Sequence, residues 1–433
     1  MDVNDIKSLY YEENYEEICS MWDKQKNSAD LIPEYDFVYY INSLYKQKRY
    51  QDCLMLYKIY HHLYSKSDFL DDKMGWSLYH VYLKEHDFEH GDNRRYLQQV
   101  NFIFHNHTDS PYSPWNFIML TAVKIILKKK MAFLSNQDTY HLANTYLDSI
   151  NPEHLSDIPK TFNAKGKSRQ TASDRENWYS YKIRVLYQLK SYHDCVTYFD
   201  KALSHIHHFC NHGDVWIRRW QIESLMQLGE LDKSETSLQI VLQGNFKHWF
   251  FYQLAFEVMM KKGDLDKALI YAGACALCDN SHDMRVKFYA QLVPIFYKEQ
   301  NKRPAMLHRQ LVNILRQENN WPPYKWNLDW DVSLDIKTMT KKDILQELTK
   351  FWQQLRDKDK VFLMGTVKKM LPSGQDGFVT SEAGQDYYFK VNDVEKGRKR
   401  LQEGCHVRFT TCLRMNRKKQ RQEENAIEIT VKD

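Results

Sequence analysis

Residues 228–233 read Leu-Gly-Glu-Leu-Asp-Lys and residues 262–267 read Lys-Gly-Asp-Leu-Asp-Lys, so the same turn returns after 34 residues. A second echo runs from Tyr45-x-x-Lys48-x-Tyr50-x-Asp52-Cys53 to Tyr187-x-x-Lys190-x-Tyr192-x-Asp194-Cys195, a shift of 142 residues and close to four such periods. Tyr15 precedes Tyr50 by 35 residues in the related context Asn14-Tyr15-Glu16-Glu17. A period of this length marks stacked supersecondary units. One helix pair cannot bury its apolar stripe alone and does so against its neighbours. The register predicts second helices beginning near Tyr15, Tyr50, Tyr192, Leu231 and Leu265.

Composition agrees. Only 14 Gly and 10 Pro in 433 residues argue against an all-β chain with many turns. The 29 Tyr, 21 Phe and 11 Trp exclude a disordered chain and suit helices that interlock through rings. The N-terminus, Met1-Asp2-Val3-Asn4-Asp5, has neither the basic region nor the apolar run of a secretory signal. Phe117 to Leu127 is the most apolar stretch, but Lys124 interrupts it and it is too short to span a bilayer. Eight scattered cysteines fit a reducing, cytoplasmic setting.

Over residues 1–320 the spacing and the small/large pattern resemble the tetratricopeptide (TPR) repeat family. That resemblance implies a TPR-like α-solenoid whose concave face captures a protein or peptide partner. The stretch between about 85 and 175 is less regular. It carries a polar loop, His105 to Ser113, and a longer loop, Asn151 to Ala172. Ser173 and Glu176 read as a capping box that restarts a helix, and Pro304 as a first-turn residue of another. Residues 321–357 form a Trp- and Pro-rich connection and then a linking helix. Thr340 and Asp343 open that helix, and its apolar stripe is Ile344, Leu348, Phe351 and Leu355.

From Val361 the hydrophobic period shortens. Short apolar segments are separated by Pro372-Ser373-Gly374, Ala383-Gly384-Gln385 and Glu403-Gly404, which predicts five strands in a small closed barrel over 358–433. Gly365-Thr366-Val367-Lys368, Gly377-Phe378-Val379, Asp386-Tyr387-Tyr388-Phe389-Lys390, Leu401-x-Glu403-Gly404-x-x-Val407-x-Phe409 and Ala426-Ile427 follow the order and spacing of the cold-shock family. The tail therefore resembles a cold-shock-like OB-fold domain. The resemblance implies binding of single-stranded nucleic acid by stacking of bases on exposed rings.

Carried over position by position, that platform is reduced. Phe378 is kept and Tyr388 replaces a Phe. Lys369-Met370, Asp376 and Lys390-Val391 stand where the family has other aromatics. Charge is the candidate compensation. Lys368, Lys369 and Lys390 should lie on or beside the same face. Arg398, Lys399 and Arg400 form one basic loop, and Arg417, Lys418 and Lys419 lie in another, within Arg414 to Arg421. Residues 361–433 carry 14 Lys and Arg against 10 Asp and Glu, whereas the first 360 residues hold 47 against 46. Phosphate contacts from such loops give salt-sensitive, sequence-independent affinity, and Asp376 opposes them.

Other constellations carry less. Cys275-x-x-Cys278 falls in the repeat register where Cys acts as a small apolar filler, as at Cys53 and Cys195. His205, His207, His208, Cys210 and His212 read as an interhelical loop, although a transition metal could be held by such a set. Gly166-Lys167-Ser168 lacks the first Gly and the preceding strand of a phosphate loop. The expectation is a mostly α chain with a small all-β tail, no catalytic site, no metal and no cofactor. It would be an adaptor that docks a protein through its repeats and a single strand, RNA rather than DNA, through its tail. The competing expectation is a protein-only scaffold whose barrel has given up nucleic acid.

Overall fold

Helix after helix in this chain ends in the same turn. Glu13, Lys48, Lys190, Gly229, Gly263 and Gln300 all stand in the left-handed region, at φ between 58° and 78°. In each case the next residue's amide reaches back five positions, from Asn14 to Leu9 O, Arg49 to Leu44 O, Ser191 to Leu186 O, Glu230 to Leu225 O, Asp264 to Met259 O and Asn301 to Phe296 O, at 2.8–3.0 Å. This Schellman closure satisfies a carbonyl that the helix end would leave bare. Only two of these positions are glycine, the residue for which a positive φ costs least. A new helix starts a residue or two later: Tyr15–Gln25, Tyr50–Tyr60, Tyr192–His205, Leu231–Leu242, Leu265–Leu277 and Lys302–Glu318.

The computed structural model describes residues 3–26, 32–60, 62, 68–105, 109–111, 113–129, 131, 133–164, 166–244, 246–416 and 421–432. Two compact units divide at Glu230 and Leu231. Both units are helical, and the second ends in a closed β-barrel. Among the described residues no helix is long and apolar enough to cross a membrane.

In the first unit, Tyr15–Gln25 packs on Glu34–Lys46, which packs on Tyr50–Tyr60; Asp174–Gln188, Tyr192–His205 and Gly213–Gln227 form a second such run. The two echoing cysteines make the same contact in the two runs. Cys53 Sγ lies 3.5 Å from Ile41 O and Cys195 Sγ lies 3.4 Å from Ile183 O, both twelve residues back and both buried. The filler reading of these cysteines is thus given a physical form: a thiol that fits the helix contact and donates across it.

Ser173 caps its helix, accepting from Glu176 N at 3.1 Å, and the Ser173 backbone amide is held in turn by Glu176. Its carboxylate is buried and takes the amide of Cys210 at 3.1 and 3.2 Å, and burial pushes its pKa up. The expected loop Asn151 to Ala172 contains an antiparallel hairpin, β1 (Lys160–Ala164) and β2 (Lys167–Thr171), with Gly166 in its turn at φ 73°. Among the described residues the hairpin has no third strand.

In the second unit the helix Lys341–Arg356 opens with the full capping box of Thr340 and Asp343. Its buried residues are Ile344, Leu348 and Trp352, with Phe351 and Leu355 flanking them half-exposed. Trp352 was not in the expected stripe. This helix packs on Leu265–Leu277 and on Lys302–Glu318. Trp352 Nε1 donates to His308 Nε2 at 3.0 Å, and His308 Nδ1 is 2.7 Å from Pro304 O. These partners fix a neutral imidazole that donates from Nδ1 and accepts at Nε2.

Burial pushes the pKa of His308 down to about 4, and burial with Arg285 and Lys341 nearby does the same for His282. The unfolded chain binds those protons near pH 6.5 and the folded chain does not. Stability is therefore complete above pH 6.5 and falls as the pH drops towards 4, by up to about 1.4 kcal/mol per pH unit for each group. Urea unfolding at pH 7.5, 6.5 and 5.5 should show a falling midpoint. His308→Gln should flatten that dependence.

The barrel strands are β3 (Leu363–Met370), β4 (Asp376–Ser381), β5 (Asp386–Lys390), β6 (Val394–Lys396), β7 (His406–Asn416) and β8 (Arg421–Val431). The order β5-β4-β3-β7-β8 closes through a parallel bridge from Tyr388 to Asn425, and β6 adds to the edge of β8. Val367, Val379, Tyr387, Phe389, Val407, Phe409, Ala426 and Ile429 fill the interior, the alternation expected of a small barrel. An ionic clasp ties the barrel to the helices of its own unit. Lys360 Nζ meets Glu428 at 2.5 Å, Arg356 meets Glu395 at 3.3 Å, and Lys358 meets Asp266 of Leu265–Leu277 at 2.6 Å.

Candidate nucleic-acid interface

Strand alternation decides what the barrel shows to solvent. In β4, Gly377, Val379 and Ser381 point inward, which turns Asp376, Phe378 and Thr380 out; in β5, Tyr387 and Phe389 point inward, which turns Asp386, Tyr388 and Lys390 out. Register then lines them up. Lys369 lies opposite Phe378, Phe378 opposite Tyr388, and Asp376 opposite Lys390. In β3 the register shifts between Val367 and Lys369, and this bulge leaves Lys368 and Lys369 both exposed.

The two rings meet edge to face, with centroids 5.7 Å apart and planes at 68°. Both are half-buried. Tyr388 is held in place, because its hydroxyl donates to Asp376 Oδ2 at 2.8 Å while Ser373 Oγ donates to Asp376 Oδ1 at 2.8 Å. Burial and that carboxylate push the phenol up to about 12, so Tyr388 is a neutral ring at any physiological pH. Asp376 positions the platform as well as adding negative charge to it. Asp376 and Tyr388 sit on adjacent strands, two residues apart in register.

The cations do not share one fate. Lys368 forms an ion pair with Asp386, whose carboxyl also accepts from Thr380 at 2.6 Å. Those two contacts hold the Asp386 carboxyl below the usual range. Lys369 and Lys390 are exposed and make no ion pair among the described residues. They flank the ring pair as its available charges. Arg398 folds back to the carbonyls of Asn392 and Val394 at 3.3 and 3.4 Å, next to the turn that follows β5. Lys399 and Arg400 are exposed on the same short helical turn, Arg398–Arg400. Arg417, Lys418 and Lys419 lie outside the described residues. Arg414, on β7, is bound in two-point fashion to Asp393 at 2.7 and 3.0 Å, a pair that sequence reading missed.

The remaining chemistry-bearing clusters are quiet. Burial pushes the thiols of Cys275 and Cys278 up, away from the thiolate that a metal or redox role requires. His205 turns to Lys201 O at 2.8 Å, and Cys210 to Thr171 O at 3.5 Å. Among the described residues no three His, Cys, Asp or Glu side chains gather as a metal site. No protein-family model matches the chain, and no curated protein matches it.

Proposed function

We propose that this chain is a non-enzymatic adaptor whose cold-shock-like barrel takes a single strand of nucleic acid, RNA rather than DNA, while its tetratricopeptide-like repeats dock a protein partner. The observation that carries the reading is the outward row Lys369–Phe378–Tyr388, with Lys390 beside it. A T-shaped aromatic pair between two uncommitted lysines offers a base a π-face and its phosphates two countercharges. Base stacking on an aromatic side chain is worth about 1–3 kcal/mol. With one ring pair in place of a broad platform, stacking alone gives weak binding, and the lysines make it salt-sensitive.

The test is a titration of the full chain with a labelled 20-nucleotide RNA at 50 and 200 mM salt. The reading expects saturable binding at low salt that weakens several-fold at the higher one, and a further loss of about tenfold for Tyr388→Ala. Absence of binding at 50 mM salt would instead support the protein-only scaffold. Two observations favour that second reading: Lys368 is spent on Asp386, and Asp376 adds a negative charge to the face.

A further inference from the structure

The hairpin β1–β2 is a bare ribbon with a marked asymmetry between its faces. Directly opposed residues of an antiparallel pair share a face. The register puts Lys160 with Thr171, Phe162 with Arg169 and Ala164 with Lys167 on one side, and Thr161 with Gln170 and Asn163 with Ser168 on the other. One face therefore carries positions 160, 162 and 169, two cations and one ring, and the other carries only neutral polar groups. From Ile158 to Ser173 the chain has Lys160, Lys165, Lys167 and Arg169 and no acidic residue. Phe162 is 46% exposed, and Arg169 is exposed with no ion pair among the described residues.

A ribbon without a hydrophobic core needs its base held. Lys160 pairs with Asp174 at 2.6 Å and stands over the Phe117 ring at 5.0 Å. Cys210 Sγ and Asn211 Nδ2 take the carbonyls of Thr171 and Gln170 at 3.5 and 3.3 Å. These contacts anchor one end of the ribbon. The neutral face, with its Thr, Gln, Asn and Ser, has nothing to insert into a bilayer, and the chain around the turn, Lys165-Gly166-Lys167, is charged rather than apolar.

We propose that this ribbon is a second binding site for single-stranded nucleic acid, with Phe162 stacking a base and Arg169 meeting the adjoining phosphate. Arg is suited to both a base face and a phosphate fork. The site belongs to the first unit and stands on observations separate from those of the barrel.

The experiment uses the full chain in four forms: wild type, the barrel-face variant Lys369→Ser/Phe378→Ala/Lys390→Ser, the ribbon variant Phe162→Ala/Arg169→Ser, and both combined. Each is titrated with labelled single-stranded RNA and DNA over a salt series, and with phosphatidylserine vesicles. The ribbon substitutions should cost at least about tenfold in either background. They should also make the slope of log K against log salt shallower by about 0.7, the value for one phosphate contact on a single strand. Unchanged far-UV circular dichroism would show that the ribbon variant folds, as substitution of exposed groups predicts. Equal affinity and slope with and without the ribbon substitutions overturns the proposal, and so does a loss confined to vesicle binding. If only the ribbon variant weakens RNA binding, this site stands and the barrel reading falls.

Discussion

Gly273→Leu is expected to destabilise the second unit by about 3 kcal/mol or more. A Cβ at Gly273 would lie 2.5 Å from Trp352 O, 2.8 Å from Arg356 N and 3.1 Å from Leu355 Cβ. Two of these neighbours are backbone, which cannot swing aside. The helices Leu265–Leu277 and Lys341–Arg356 cross at this point with nothing between them, so a side chain must push them apart. Overpacking of a close contact costs about 1–3 kcal/mol when side chains can adjust, and more when they cannot.

Alanine at a helical glycine ordinarily gains about 0.5–1 kcal/mol. Gly273→Ala is expected to lose stability instead, because the clash outweighs the propensity. Urea midpoints of the two variants, with Lys267→Ala on the exposed side of the same helix as control, check both statements. The displaced helix carries Arg356, and Lys360 follows it, so the barrel's clasp should loosen as well. Limited trypsin digestion should then cut near Lys358 and Lys360 in Gly273→Leu while sparing the control.

The second large effect concerns binding rather than folding. Lys369→Ser/Phe378→Ala/Lys390→Ser should lower the affinity of the full chain for single-stranded RNA by about a hundredfold at 50 mM salt. Loss of one stacking ring accounts for about 1–3 kcal/mol. Loss of two phosphate contacts also flattens the salt dependence, by about 1.4 in the slope. The three side chains are exposed or half-buried and Lys369 and Lys390 make no ion pair among the described residues, so the urea midpoint should stay within the range of surface substitutions. Lys368→Ser gives the contrast. Its charge is already met by Asp386, and removing it should cost less than threefold in binding, measured in the same titration.

Parts of this molecule were legible in the residues alone, for identifiable reasons. Helix starts at Tyr15, Tyr50, Tyr192, Leu231 and Leu265 fall where the recurring turn puts them. Gly229 and Gly263 betray the left-handed cap by their type; Glu13, Lys48, Lys190 and Gln300 do the same job without the telltale glycine. The barrel strands were readable because one face of each is buried, which imposes alternation on the sequence.

The ribbon at 160–171 was not readable, and for the converse reason. Where the structure describes its side chains they are exposed, so no core selects a period and the stretch reads as loop. Glu176 reads as a capping residue, but its added bond to the Cys210 amide depends on tertiary packing that no local pattern shows. On the barrel face the residue types were legible and their partners were not. The pairing of Lys368 with Asp386, and of Tyr388 with Asp376, depends on cross-strand register and on one bulge. Those two features separate the lysines that are spent from the lysines that remain available.

Photocross-linking tests the barrel assignment most directly. The full chain would be irradiated with single-stranded RNA carrying 5-bromouridine at 50 mM salt, and the adducts mapped by mass spectrometry. The account predicts that barrel adducts fall on Phe378 or Tyr388 and disappear in Lys369→Ser/Phe378→Ala/Lys390→Ser. Robust binding with no adduct on either ring, or no binding at all at that salt, would contradict it.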